Sequence, residues 1–436
     1  MRGAFGLLLP VALLACHPKA ADSVDSCAAG GDSGCAAYTV TADATVELPA
    51  PLVLPNRAYG IAIGDLEGTG VPQIYVGTGT TVTRFDGDGW ATATDIWTES
   101  DASARPLIAD LTGDGVADLL MGLPDADRNV GQVLVFTGPV VDPITWDTPH
   151  LEIKGDAAAA SPGAGALAAG EAIWAADMDG DDVLDLVVKA AGQTWIRPGP
   201  LTATEPLGAA GDIEWADSDV NKQEFAAVGD IDGDGVPDLV FVIQASDGPC
   251  GLPGTEIHAV TGPFSPGTYS LDAAPIVLTP PPDAIDAGGV SITDVDGDGV
   301  NDLVASAPTR LGGIPALIWR GPISSGEPPV EIPSTFGEVG IGDFGGNGAP
   351  DLLELNLQAS SAGIWDTGAQ GVVTVTNGPV EALTTRALCN VAVTQAWTGW
   401  PISYEDASWT GDLDGDGVSD AILATGSSLY LLRSGA

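Results

Sequence analysis

The feature that most limits how this chain can fold is an acidic nonapeptide that returns seven times. Its clearest copy, GDIDGDGVPDLVFV at 229–242, crowds four aspartates into nine residues and follows them with an unbroken apolar run. Six relatives align with it: GDLEGTGVPQIYVG (64–77), ADLTGDGVADLLMG (109–122), ADMDGDDVLDLVV (176–188), TDVDGDGVNDLVA (293–305), GDFGGNGAPDLLE (342–354) and GDLDGDGVSDAILA (411–424). Their first aspartates stand at 65, 110, 177, 230, 294, 343 and 412. The uneven intervals describe structural units with variable loops, not short tandem repeats.

Each unit holds more than its loop. A short apolar stretch precedes it, as in AIWAAD or PLIAD, and a second follows, as in DLVFVI. After a glycine-containing turn comes a third stretch ending in Gly-Pro: GQVLVFTGP (131–139), QTWIRPGP (193–200), EIHAVTGP (256–263), PALIWRGP (315–322) and GVVTVTNGP (371–379). A less regular fourth closes the unit, as in ITWDTPHLEI at 144–153. Gly (59) and Pro (33) are abundant, which favours short strands joined by turns. Four short strands, seven times over, predict an all-β fold: a seven-bladed β-propeller of four-stranded antiparallel blades over 38–436. Strands packed between blades are buried on both faces, so they read as continuously apolar. The seventh unit lacks a fourth strand, and YTVTADATVEL (38–48) is spare. That N-terminal strand is therefore predicted to close the ring as the outer strand of the last blade, removing an open edge.

The pattern D-x-D-x-D-G-x-x-D-L resembles the FG-GAP repeat of integrin α-subunit N-terminal propellers and the related bacterial VCBS repeats. The closest match is ADLTGDGVADLLMGLPDADRNVGQVLVFTGP (109–139), and SAPTRLGGIPALIWRGP (306–322) preserves the arrangement. The first and sixth loops diverge, and the family's Phe-Gly before the first strand is generally missing. The resemblance implies calcium in the loops and a ligand face at the opposite end of the propeller.

The residues themselves point to a metal. Side chains at loop positions 1, 3, 5 and 9 and the carbonyl at 7 can converge on one point, with glycine at 6 making the bend. An all-oxygen donor set suits a hard cation, and flexible crowded carboxylates suit Ca²⁺ over Mg²⁺. Four loops carry the full set: Asp177, Asp179, Asp181, Val183 and Asp185; Asp230, Asp232, Asp234, Val236 and Asp238; Asp294, Asp296, Asp298, Val300 and Asp302; Asp412, Asp414, Asp416, Val418 and Asp420. In a fifth, Asp110, Thr112, Asp114, Val116 and Asp118, a hydroxyl replaces one carboxylate. Asp182 stands at the glycine position of the third loop, and Asp tolerates positive φ. The first loop (Asp65, Glu67, Thr69, Gln73) and the sixth (Asp343, Asn347, Asp351) are expected to bind weakly or to be metal-free turns. Acidic surface turns without metal are the alternative throughout. An EF-hand is disfavoured because strand, not helix, follows the loop.

Charge narrows the partners. Sixty acidic residues face 14 basic ones, a net of −46, which argues against nucleic acid or an anionic membrane surface. The N-terminus, MRGAFGLLLPVALLAC, has the shape of an export signal over 1–15. Its Leu13-Leu14-Ala15-Cys16 resembles a bacterial lipobox with Cys16 as the lipidation site; plain secretion is the alternative. Its apolar run is shorter than the ~20 residues a membrane span needs. Residues 16–37, small and polar, read as a lipidated flexible tether. An outer-membrane or cell-surface lipoprotein is expected, touching the membrane only through its lipid. Of the other cysteines, Cys27 and Cys35 sit close enough to pair, leaving Cys250 with Cys389 or two free thiols.

A catalytic reading finds little to hold. The three histidines, His17, His150 and His258, lie beside no nucleophile signature. Trp174 and Trp409 are expected in packing between blades. Trp90, Trp97, Trp146, Trp215, Trp397 and Trp400 fall in variable segments, either as core or as exposed anchors. The expected function is a monomeric, calcium-binding, non-enzymatic adhesion module for a protein or glycan. The alternatives are a carbohydrate-binding lectin and a lyase-like enzyme acting on polysaccharide.

Overall fold

The structure is a computed structural model. It describes residues 12–16, 35–39, 42–46, 52–54, 58–79, 81–86, 90, 92–98, 103–126, 130–140, 144, 149–155, 168–190, 193–209, 211–216, 223–245, 254–271, 274–281, 288–306, 316–332, 339–344, 351–357, 370–376, 389–396, 408–425 and 428–433. The fold is an all-β propeller of antiparallel blades. Blade 1 takes Ala58–Gly64, Gln73–Thr78, Thr81–Asp86 and Thr92–Thr98 in order. Blade 2 takes Arg105–Ala109, Asp118–Leu123, Gln132–Phe136 and Leu151–Lys154. Blade 3 uses Ala172–Ala176, Asp185–Ala190, Gln193–Arg197 and Ile213–Ala216; blade 4 uses Gln223–Gly229, Asp238–Ala245, Gly254–Val260 and Ile276–Leu278. Blade 5 is Gly288–Thr293, Asp302–Ser306, Ala316–Trp319 and Val330–Ile332, and blade 6 is Val339–Gly342, Asp351–Leu357, Gln370–Thr376 and Cys389–Ala396.

Each of these six blades takes its four antiparallel strands from one stretch of the chain. The last sheet is composite: Ser408–Gly411, Asp420–Thr425 and Ser428–Leu432 are completed by Leu52–Val53, which pairs antiparallel with Ser428 and Leu429. The expectation that 38–48 closes the last blade as its outer strand is corrected accordingly. Ala42–Val46 lies parallel to Cys389–Ala396 and makes blade 6 five-stranded. Pro49 and Pro51 separate the two N-terminal stretches, and a proline cannot donate to a strand ladder. The segment nearest Ala58 therefore takes the outer edge, where it connects most directly to the first strand of blade 1. Blade 3 also gains a fifth strand, Gly267–Tyr269, parallel to Ile213–Ala216. Ala12–Cys16 and Cys35–Thr39 form a separate antiparallel pair. Residues 17–34 of the expected tether lie outside the described residues, as do Cys27 and Cys250, and with them both expected disulfides.

The core consists of the seams between blades. Leu119 packs with Tyr75, Trp97 and Leu134 between blades 1 and 2. Its neighbour Leu120 packs with Val135, Leu186 and Trp195 between blades 2 and 3. Successive residues of a second strand thus serve opposite seams, which is why the whole run must be apolar. The composite sheet joins blade 1 through Leu413, Ile422 and Leu429 against Ile74 and Val76. It meets blade 6 where Ser419 N–H donates to the Asp343 carbonyl at 2.8 Å. Innermost first strands approach closely: a Cβ on Gly64 would stand 2.7 Å from Ile108 Cγ2, so only glycine fits there. Every nonapeptide joins a first strand to a second, so all the loops share one end of the propeller. The third strands return to that same end with their Gly-Pro termini.

Candidate metal centres

Each loop is shaped by its own aspartates. Asp110 accepts from Gly113 N–H at 2.8 Å and Gly115 N–H at 2.7 Å. Asp230 accepts from Gly233 at 2.7 Å and Gly235 at 2.9 Å, and Asp294 and Asp412 do the same in their loops. The fifth position then turns the chain back, with Val236 N–H on Asp234 Oδ1 at 2.8 Å. Such carboxylate-to-amide turns are strong because the acceptor is charged. Positive φ is required at position 6, and Asp182 adopts 67° where the other loops use glycine. Position 4 requires it too, with Gly233 at 82° and Gly180 at 81°. Sequence reasoning missed that second bend, although a glycine stands there in all seven copies, from Gly68 to Gly415.

The ninth aspartate is the buried one. Asp118, Asp238 and Asp420 are fully buried, and Asp185 and Asp302 are 1% exposed. In blade 4, Asp238 Oδ2 accepts from Ile231 N–H at 2.8 Å and Oδ1 from Gly262 N–H at 2.9 Å. Asp118, Asp185 and Asp302 repeat both bonds. The recurrent Gly-Pro at the end of the third strand thus has a local cause, since its glycine amide is held by the loop carboxylate. In blade 4 those two bonds leave each oxygen a second lone pair, whereas in the second loop Thr112 adds its N–H to Asp118 Oδ2 at 3.0 Å and its hydroxyl to Oδ1.

In four loops three carboxylates bring one oxygen each within 4.8 Å of one another. The trios are Asp177, Asp179 and Asp185; Asp230, Asp232 and Asp234; Asp294, Asp296 and Asp302; and Asp412, Asp414 and Asp420. They fall in the four loops with a full carboxylate set. In the second loop Thr112 takes the third position and its hydroxyl leans on Asp118 at 3.4 Å. The crowding disturbs titration. Burial pushes Asp185 up to about 6, against amide bonds from Gly199 and Met178 that pull it down, with Asp179 and Asp181 adding repulsion. Burial likewise pushes Asp238 up to about 6 and raises Asp302. Asp179 and Asp232 are raised first by burial and then by neighbouring aspartates. Three or four carboxylates sharing a pocket are a donor set for a hard, oxygen-seeking divalent ion.

The first loop is built differently. Asp65 accepts from Thr69 N–H at 2.9 Å and from Gly70 N–H, and these amides lower its pKa. Glu67 turns away to Arg84 at 2.6 Å. Gln73 is buried and donates to the Val71 carbonyl at 2.6 Å, occupying the oxygen a metal would use. This loop is closed by its own hydrogen bonds. In the sixth loop Asp343 is described, Asn347 lies outside the described residues, and Asp351 begins a second strand.

His150, His258 and several of the tryptophans are held in the fold, and His17 lies outside the described residues. His150 Nδ1 accepts from Thr137 N–H at 2.9 Å, and His258 meets Glu256 at 3.0 Å. Trp90, Trp97 and Trp215 are buried, so they are core and not exposed anchors. Trp174 packs half-buried in the seam between blades 3 and 4, as expected of an innermost strand. Trp146, Trp397 and Trp400 lie outside the described residues.

No family model matches the chain, and no curated protein matches it. Solved structures do resemble it. One is an Agrocybe aegerita lectin described by its specific recognition of non-reducing terminal N-acetylglucosamine, with 15% identity, a TM-score of 0.42, and 78% of this chain and 80% of that one covered. Another is the WD40 β-propeller domain of Doa1, with 9% identity, a TM-score of 0.47, and 89% of this chain and 97% of that one covered.

Proposed function

We propose that this protein is a calcium-stabilised propeller of seven blades, the composite sheet being the seventh, that serves as a rigid, non-enzymatic binding module. The observation that carries the calcium reading is the set of four carboxylate trios, each within 4.8 Å, in the four loops with a complete donor pattern. Val116, Val183, Val236, Val300 and Val418 would add a backbone carbonyl to their sites, and the second loop would hold a fifth ion through Asp110, Asp114 and Asp118. Calcium would supply positive charge to offset the crowded carboxylates. The loops occupy one end, so the other end is left for recognition. That end carries the turns between second and third strands and the crossings to the next blade, whose lengths change from blade to blade. The resemblance of the aspartate loops to integrin α-subunit repeats supports a ligand face at that end. We assign the chain to a bacterial envelope, held by a lipid on Cys16, from the N-terminal sequence. Among the described residues no helix is long and apolar enough to cross a membrane.

Calcium titration with a stoichiometric readout tests the first part: four to five ions per chain are expected, and none bound at millimolar calcium refutes it. A glycan array with product analysis tests the second. Binding without turnover supports a glycan-recognising module, silence with capture of a protein partner supports the protein ligand, and depolymerisation of a polysaccharide refutes the non-enzymatic reading.

A further inference from the structure

The ninth aspartates belong to a longer chain of hydrogen bonds that crosses the blade seams. In the four described Gly-Pro turns of blades 2 to 5, the residue that follows donates its amide to the preceding blade's loop, at the carbonyl of position 2. Val140 donates to Leu66 at 3.1 Å, Leu201 to Leu111 at 2.7 Å, Phe264 to Met178 at 2.9 Å and Ile323 to Ile231 at 2.9 Å. These position-2 residues are buried, and the amides of Leu111, Met178 and Ile231 donate to the ninth aspartate of their own loop. That aspartate in turn holds the Gly-Pro glycine two residues before the next seam donor. The links join without a gap from Leu66 in blade 1 to Val295 in blade 5. In the fourth seam Asn301 Nδ2 adds a bond to the Asp230 carbonyl at 3.0 Å.

We propose that this rim relay couples neighbouring loops mechanically, the ninth aspartates acting as positioning residues that hold a seam donor on the loop of the preceding blade. The relay consists of the chain's own groups and does not require a bound ion. A carboxylate with two acceptors is needed at each node. An amide offers one oxygen and turns its NH₂ toward the other amide N–H. A disturbance at Asp238 therefore loosens Gly262, then Phe264, and so the Met178 turn of the third loop, in a different blade.

The test is site-resolved hydrogen exchange under native conditions on Asp238→Asn in the full chain, in chelator and in millimolar calcium. We expect exchange at Phe264 and Met178 to accelerate about tenfold, the factor that loss of one charge-assisted hydrogen bond implies. Val140, in the seam between blades 1 and 2, should stay within about twofold of wild type on the same reasoning. Unchanged protection at Phe264 and Met178 overturns the proposal, and so does uniform acceleration at all these amides, which is the mark of global destabilisation. Should Asp238→Asn fail to fold, Asn301→Ala removes a seam bond and no carboxylate. Ile323 must then exchange faster with Val140 unaffected, and the opposite result is equally decisive. Exchange that ignores calcium refutes the calcium reading and leaves the relay's own prediction standing.

Discussion

Removing calcium should lower the melting temperature by more than ten degrees, and the size of the effect follows from the loops. Within each trio the chosen oxygens lie no more than 4.8 Å apart. At that distance two unit charges repel by about 1 kcal/mol in bulk water and about 3.5 kcal/mol at an effective dielectric of 20. Three such pairs per loop, in four loops, strain a fold whose net stability is on the order of 10 kcal/mol. Bound ions relieve the strain by mass action. At free calcium one hundred times the dissociation constant, each site contributes about 2.7 kcal/mol, so four sites contribute about 11 kcal/mol. Unfolding entropy near 2.1 cal/mol/K per residue gives roughly 0.9 kcal/mol/K for a chain of about this length, so the shift is about 12 °C. Calorimetry or circular dichroism in excess chelator, followed by added calcium, measures it directly. Magnesium should restore less, because it holds its water more tightly. Melting curves that agree within about 2 °C with and without calcium would refute the reasoning, since that leaves less stabilisation than one occupied site supplies.

Three further outcomes are expected. Asp234→Ala removes a proposed ligand and the acceptor of Val236 N–H, so it should lower the calcium-loaded melting temperature clearly, whereas Asn347→Ala should cost under about 0.5 kcal/mol; equal effects contradict the ranking of the loops. Leu54→Ala opens a cavity in the seam where Leu413, Ile422 and Leu429 meet blade 1, and chemical denaturation should show a loss of about 2–5 kcal/mol. In chelator, stability should rise as pH falls from 7.5 toward 5. Asp185 and Asp238 titrate near 6 in the folded chain against an ordinary 3.8, so the native state binds more protons in that window. With calcium present, protons compete for its ligands and the trend should reverse; a metal-free melting temperature that falls on acidification contradicts the assignment.

Much of this protein was legible in its sequence because the repeat carries its own local physics. A run such as DLVFVI, apolar at every position, demands burial on both faces, and its return after each aspartate loop specifies strands stacked in a ring of blades. The four full carboxylate sets marked the same loops in which oxygens converge, because side chains only nine residues apart are set by local turns. Positive φ at Asp182 was readable for the same reason. Glu67 was not: whether it faces its loop or Arg84 depends on a strand 17 residues away. The bonds between the ninth aspartates and the Gly-Pro amides were equally hidden, because each joins groups 14 to 24 residues apart. The ring's closure was decided by the tertiary structure. Two stretches of similar strand character, 38–48 and 52–53, competed for one open edge. Strand propensity does not encode distance, and only the path from the last blade to Ala58 selected Leu52–Val53.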